Sequence, residues 1–334
     1  MLTKMQLYLI NLCLIIFITT ACGVTPSLDT NQNDVDNMTN INLQLPEMTS
    51  LSLQPGQKLK VVATTSIVGD IVYNIAKDNI DLTVLLPPDT DPHTFSPAPQ
   101  DIALIASADV IFTNGFGLEQ FLTQLIENAG STPLIVPLST GVQPLTVDEH
   151  LATDDNHPDQ VDPHTWMNPL NVIVFTRNIE YTLTILNPAN TQDYQVNATV
   201  YVAKLKQLDR WIKSQIETIP PPNRKLVTDH EVFGYYVHQY GLELVGTIIP
   251  THSTDAEPSA YELATLQDII NKHQVKAVFI DITTNTDLAK RIANDTTIKL
   301  VQLYTGSLGI SGSGAETYID YMEFNTNAIV NALK

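Results

Sequence analysis

The chain has 334 residues, 43% of them hydrophobic and 16% charged, which exceeds what one comfortable core needs and suits two compact domains. A formal net charge of −19 sets the summed field against any polyanion, so nucleic acid is excluded as a natural partner. Acidity alone does not argue for a cation ligand, because many exported proteins are acidic simply to stay soluble.

In chain order, Lys4 and the apolar stretch "LYLINLCLIIFI" precede "TTAC". The apolar run is too short for a comfortable membrane span, and the pattern predicts a bacterial lipoprotein signal over residues 1–21, with lipid attached to Cys22. Thr19 stands where Leu is commonest in such a box, although Ala21 fits, and an ordinary signal peptide or uncleaved anchor is the alternative. Cys13 leaves with the signal, so the mature chain is expected to form no internal disulfide. Residues 22–57 are rich in Asn, Thr, Asp, Gln and Pro without periodicity, and read as a disordered tether.

From residue 58 short β-branched runs alternate with amphipathic ones. "KLKVVATT", "IDLTVLLP", "DVIFTN" and "TPLIVPL" are predicted strands, separated by helices over "SIVGDIVYNIA", "PQDIALIASA" and "LEQFLTQLIENA". The first of those helices is expected to be capped by Ser66. A second series runs from "RKLVTD" through "LELVGTII", "VKAVFID" and "IKLVQLY", with helices between and "ETYIDYMEFNTNAIVNAL" last. Such βαβα alternation predicts an α/β protein with two parallel-sheet lobes, residues 58–188 and 220–334. Between them "YQVNATVYVAKLKQLDRWIKSQIETI", free of Pro and Gly, predicts one long rigid helix within residues 189–219. A connection that stiff argues against hinged closure.

One loop is built twice. "DTDPHTFSPAP" carries His93 and "DPHTWMN" carries His164, each in an Asp-Pro-His-Thr-aromatic frame. His93 follows the second predicted strand, His164 follows the fourth after an excursion, and His230 directly follows "KLVTD". In open parallel sheets ligands gather outside the carboxyl ends of strands, so three imidazoles can converge in the cleft between the lobes. Neutral imidazoles at about 2.0–2.1 Å suit zinc. Pro92 and Pro163 are expected to stiffen the two loops. Of the remaining histidines, His150 and His157 fall in an acidic loop, 149–162, that reads as an auxiliary cation collector outside the main site. His238 is expected to pack within a helix, and His252 and His273 to lie on the surface.

With these residues in view, the chain resembles the zinc/manganese family of substrate-binding lipoproteins that serve bacterial ABC metal importers. The likeness runs from Lys58 to Lys334 through "VVATTSIVGDIV", "DPHTFSPAPQDI", "ADVIFTNGFGLE", "DPHTWMNP", "VTDHEVFGYYVHQYGL", "DAEPSAYEL" and "TYIDYMEFN". It implies two α/β lobes joined by one long helix, with metal buried between them and His93, His164 and His230 as ligands. It also implies high-affinity extracytoplasmic binding, delivery to a permease with its ATPase, a lipid anchor in the membrane, and a monomer. Manganese-selective members commonly carry Glu at the third position, so His230 leans towards Zn2+, with Mn2+ as the alternative; the acidic loop leans the same way. Many members supply an Asp ligand where this chain has Gly306. Asp281, at the end of "VKAVFI", is then the nearest substitute, as a ligand or as a carboxylate orienting a histidine, and water is the expected fourth ligand. A zinc hydrolase using Glu231 as base is the competing class; the absence of a catalytic motif such as H-E-x-x-H speaks against an enzyme.

Overall fold

Helix and strand boundaries follow local chemistry closely. In the computed structural model, which describes residues 45–130, 132–145 and 161–334, the first strand β1 (Leu59–Ala63) runs directly into helix α1 (Ser66–Ala76). The cap of α1 is Thr65 and not Ser66: the Thr65 hydroxyl accepts the Val68 amide at 3.2 Å, while Ser66 Oγ accepts the amide of Leu308 from the far end of the chain. Then follow β2 (Ile80–Val84), α2 (Pro99–Ser107), β3 (Val110–Thr113), α3 (Gln120–Ala129) and β4 (Leu134–Pro137). The second series comprises β5 (Lys225–Thr228), α6 (Gly234–Tyr240), β6 (Glu243–Thr247), α7 (Ala260–His273), β7 (Ala277–Asp281), α8 (Asp287–Thr296), β8 (Lys299–Leu303) and α9 (Tyr318–Leu333).

Each series makes one four-stranded, wholly parallel sheet, in the orders β2-β1-β3-β4 and β6-β5-β7-β8. The two lobes therefore repeat one topology, and each has its reversal of strand order beside its first strand. In the second lobe that reversal lies between β5, which leads into His230, and β7, which ends at Asp281. This is where an open α/β sheet leaves a crevice.

One long helix joins the lobes, and a second packs along it. The expected linking helix is α5 (Thr191–Ile216), 26 residues and about 39 Å long at 1.5 Å per residue. It buries Tyr194, Ala198, Tyr201, Leu205, Leu208, Ile212 and Ile216, a stripe at spacings of three and four that faces both lobes' core. Its companion α4 (Pro169–Leu186) was not anticipated. The signals are present in "NPLNVIVFTRNIEYTLTIL": the Asn168 side chain accepts the Leu170 amide at 2.9 Å, Pro169 occupies the first helical position, and eleven of eighteen residues are buried.

One continuous apolar core runs through α1, α4, α5, α6 and α9 and under both sheets. Polar bonds cross between lobes as well. The Trp166 indole donates to Thr305 O at 3.0 Å, Tyr318 OH donates to Trp166 O at 2.7 Å, and the Tyr318 amide donates to Asp70 at 3.0 Å. Among the described residues no helix is long and apolar enough to cross a membrane.

Candidate metal centre

The duplicated Asp-Pro-His loop has a local cause. In the first copy Asp91 Oδ1 accepts the amide of His93 at 2.9 Å, and in the second Asp162 Oδ1 accepts the amide of His164 at 2.9 Å. Each aspartate thus folds a tight turn around its own histidine, two residues on. The second loop is braced further, since Asn114 Nδ2 donates to Pro163 O at 2.8 Å and the Thr165 hydroxyl donates to Asn114 Oδ1 at 3.1 Å. Asn114, just after β3, is in turn held by buried Glu119, whose Oε1 accepts its amide at 2.6 Å. At the third position Asp229 Oδ1 accepts both the amide and Nδ1–H of His230, at 2.8 and 2.9 Å.

His93, His164 and His230 come together as the sequence led us to expect, with one ligand atom from each lying within 4.8 Å of the others. The Nε2 atoms of His93 and His164 are 3.2 Å apart, close to the edge of roughly 3.3–3.4 Å that a tetrahedron of nitrogens around zinc requires. His164 and His230 are buried and His93 half-buried. In both buried rings Nδ1 faces a carboxylate, Asp162 at 2.8 Å and Asp229 at 2.9 Å, which fixes the hydrogen there and turns the Nε2 lone pair to the centre.

Electrostatics split the three rings. Burial first, then the facing His230, lowers His93 to about 4. Burial also drives His164 well below the imidazole range, with His230 and His93 adding to it. Burial would lower His230 too, but the Asp229 carboxylate overrides it and holds that ring above 6.5. Burial raises Asp162 to about 7.

Asp281 lies next to the trio but outside the group whose donors converge. Its carboxylate accepts the amide and hydroxyl of Thr283 on one oxygen, and those of Thr305 on the other, where the Gly306 amide also approaches at 3.4 Å. So engaged, it ties the ends of β7 and β8 together and has little lone-pair capacity left for an ion. Glu231 points its carboxylate at His252, 3.5 Å from Nδ1. His252, expected on the surface, is half-buried against the trio, its ring 6.1 Å from that of His164. "PTHST" follows β6, the neighbour of the strand that leads into His230, and the Glu231 amide, donating to Thr251 O at 3.0 Å, draws this loop to the site. His238, expected to pack, is exposed, and His273 is half-buried. Cys22, His150 and His157 lie outside the described residues, as does nearly all of the acidic loop.

Residues 61–332 match the family described as "Zinc-uptake complex component A periplasmic". The chain belongs to this family of metal-binding periplasmic components of ABC importers. Among curated relatives of this substrate-binding protein, it is 32% identical over 281 residues to the manganese-binding lipoprotein MntA of Halalkalibacterium halodurans, covering 84% of this chain and 90% of the relative. It is 33% identical over 285 residues to the manganese ABC transporter substrate-binding lipoprotein PsaA of Streptococcus pneumoniae, covering 83% and 90%. Among solved structures, the manganese-bound periplasmic metal-binding protein of Candidatus Liberibacter asiaticus matches with a TM-score of 0.73 at 29% identity, over 83% of this chain and 100% of that one. The periplasmic zinc-binding protein TroA of Treponema pallidum gives 0.73 at 26% identity, over 83% and 99%. The family is one of solute-binding proteins and not of enzymes, and the Glu231 carboxylate turns to His252.

Proposed function

We propose that the chain captures one divalent first-row transition-metal ion on His93, His164 and His230 outside the cytoplasm, and delivers it to the permease of an ABC importer. The observation that carries this reading is the convergence of three ring nitrogens within 4.8 Å, two of them on rings whose tautomer is set by a carboxylate behind. A small cavity of about 10 Å³ touches His93, His230, Asp281 and Gly306, enough for one water, and water on that side is the fourth ligand we propose. Cys22 would hold the protein at the membrane through lipid, as the lipoprotein relatives' names support.

On the identity of the cargo, the named relatives speak for manganese over the zinc expected from the sequence. One specific observation keeps zinc as a second reading: the converging donors are all imidazoles, and the Asp281 carboxylate beside them is occupied by threonines. Imidazole-rich sites bind zinc more tightly than manganese, and selection in the cell then rests on metal availability. Metal analysis of protein purified without added metal, with competitive titration of Mn2+ against Zn2+, decides the cargo. Alanine at His93, His164 or His230 should each weaken binding strongly. Unchanged affinity in two of the three would refute the assignment.

A further inference from the structure

The small cavity beside His93 and His230 has a larger neighbour. A cavity of about 690 Å³ adjoins it, and Asp91, Thr254, Thr283 and Thr284 line both. The larger cavity lies beside the reversal of strand order in the second lobe, and exposed Glu257, Asn285 and Asp287 on its wall open it to solvent. On the boundary of the two stands one contact across the lobes: the Thr254 hydroxyl donates to Asp91 Oδ2 at 2.6 Å. Asp91 sits in the first lobe's ligand loop, holding the His93 amide with its other oxygen, whereas Thr254 sits in the second lobe's loop between β6 and α7. From residue 253 to 258 this is the one hydrogen bond among the described residues that reaches outside the loop, since the Ser253 and Asp255 amides donate to Thr251 Oγ1 and Ser253 Oγ within it. The wall of the larger cavity is acidic, with Asp91, Asp229, Glu257 and Asp287 against Arg291, which itself lies 3.8 Å from Asp295. A concave surface of that sign draws cations in.

We propose that this cavity is the vestibule through which the divalent ion reaches and leaves the His93–His164–His230 centre, and that the Thr254–Asp91 bond is the latch that closes it. The inference rests on the reading of that centre as a metal site. With α5 holding the lobes at a fixed separation, access falls to a loop, and the loop around Thr254 is the one whose attachment a single side-chain bond decides. Breaking that bond frees residues 253–258 and leaves Asp91 Oδ1 on the His93 amide, so the passage opens without dismantling the ligand loop. The latch engages no imidazole, so it stands in the loaded and the empty protein alike. Its loss should therefore speed capture and release together and leave the affinity where it was.

Zinc serves as the probe, on the full chain, with release followed by transfer to an excess of a chromogenic chelator and capture by stopped flow. Thr254→Val removes the donor, and both rates should rise about tenfold, the effect of one hydrogen bond to a charged group, with the dissociation constant unchanged. Thr254→Ser keeps the hydroxyl and should behave as the parent. Glu257→Lys combined with Asp287→Lys should slow capture about tenfold at low ionic strength, an effect that fades as salt is added. Asp78→Lys combined with Glu217→Lys makes the same change of charge at exposed positions outside the cavity, and should leave capture close to the parent's. The inference is overturned if Thr254→Val releases zinc at the parent's rate, if it speeds release with capture unchanged so that affinity falls, or if the outside pair slows capture as much as the vestibule pair. Failure of the parent to bind zinc at all would instead overturn the metal-site reading on which it rests.

Discussion

In both Asp-Pro-His turns the aspartate holds the histidine amide, and the proline only narrows the chain that leads to it. What the aspartate does next differs. Asp162 also takes Nδ1 of its histidine, whereas Asp91 Oδ2 accepts the Thr254 hydroxyl at 2.6 Å and so fastens the first lobe's loop to the second lobe. Proton competition should therefore not be shared equally, as the reference value of 6.5 for all three rings would suggest. His93, at about 4, and His164 are already neutral at pH 7, while His230, held up by Asp229, is the ring that must lose a proton to bind metal. Protons compete with metal, so affinity should rise with pH through the neutral range with a slope of about one proton per ion, flatten once His230 is neutral, and steepen only below about pH 4 as His93 joins. Competition titration across pH measures that slope; a value near three at neutral pH would contradict the split. Gly306 gives a second residue-scale prediction. A Cβ placed there would lie 2.6 Å from Cδ of Pro92, the residue before His93. Gly306→Ala should weaken metal binding by displacing the His93 loop, and Gly306→Asp should gain an oxygen ligand only at that same cost. Undiminished affinity in the alanine variant would show that the loop yields freely.

Helix α5 spans about 39 Å without Pro or Gly, is backed by α4, and packs on α1 of the first lobe and α9 of the second, so one stiff helix and not a flexible hinge joins the lobes. Metal should accordingly order the loops carrying His93, His164 and His230 without swinging the lobes. Hydrogen exchange is expected to show protection concentrated in those loops on metal addition, with little change in overall dimensions by solution scattering. A large change in radius would overturn this. Leu205, fully buried midway along α5, should cost about 2–5 kcal/mol on truncation to Ala. The same elements mark what could be read from sequence alone. Both sheets, their helices and α5 were legible because apolar period and breaker residues coincide, and His93, His164 and His230 because they sit at strand ends. Helix α4 was missed because it is buried on most sides, so its polar face is too narrow to announce a helix. His252 was missed because a loop histidine in "PTHST" resembles a solvated one until the Thr251–Glu231 backbone pairing turns it inward. The Asp281 carboxylate was placed correctly near the site, but its occupation by two threonines depends on side chains from two separate strand ends, a relation that periodicity does not encode.

At the scale of the whole molecule the lobes are joined by hydrogen bonds between parts of the chain far apart in sequence, and one of them engages a carboxyl whose acidity burial shifts. Asp70, on α1 in the first lobe, accepts the amide of Tyr318, the first residue of the second lobe's last helix, at 3.0 Å. Burial raises its carboxyl from 3.8 to about 6, with the Tyr318 amide pulling the other way. A folded-state value above the unfolded one means that between about pH 4 and 6 the folded protein binds a proton that the unfolded chain does not. The stability this group contributes is therefore fully present below the unfolded value and is lost as pH rises through the folded one. At neutral pH the interlobe contact holds a charged, poorly solvated carboxylate. Asp70→Asn keeps an oxygen to accept the Tyr318 amide and removes the charge. The variant should melt at a higher temperature than the parent at about pH 8, and the advantage should shrink as pH falls towards about 4, where the parent carboxyl is itself neutral. Thermal unfolding of the metal-free protein followed across that range measures the difference directly. A parent and variant whose melting temperatures run parallel over the whole range would show that Asp70 keeps its ordinary acidity, and that the lobes are joined there without a proton-dependent contact.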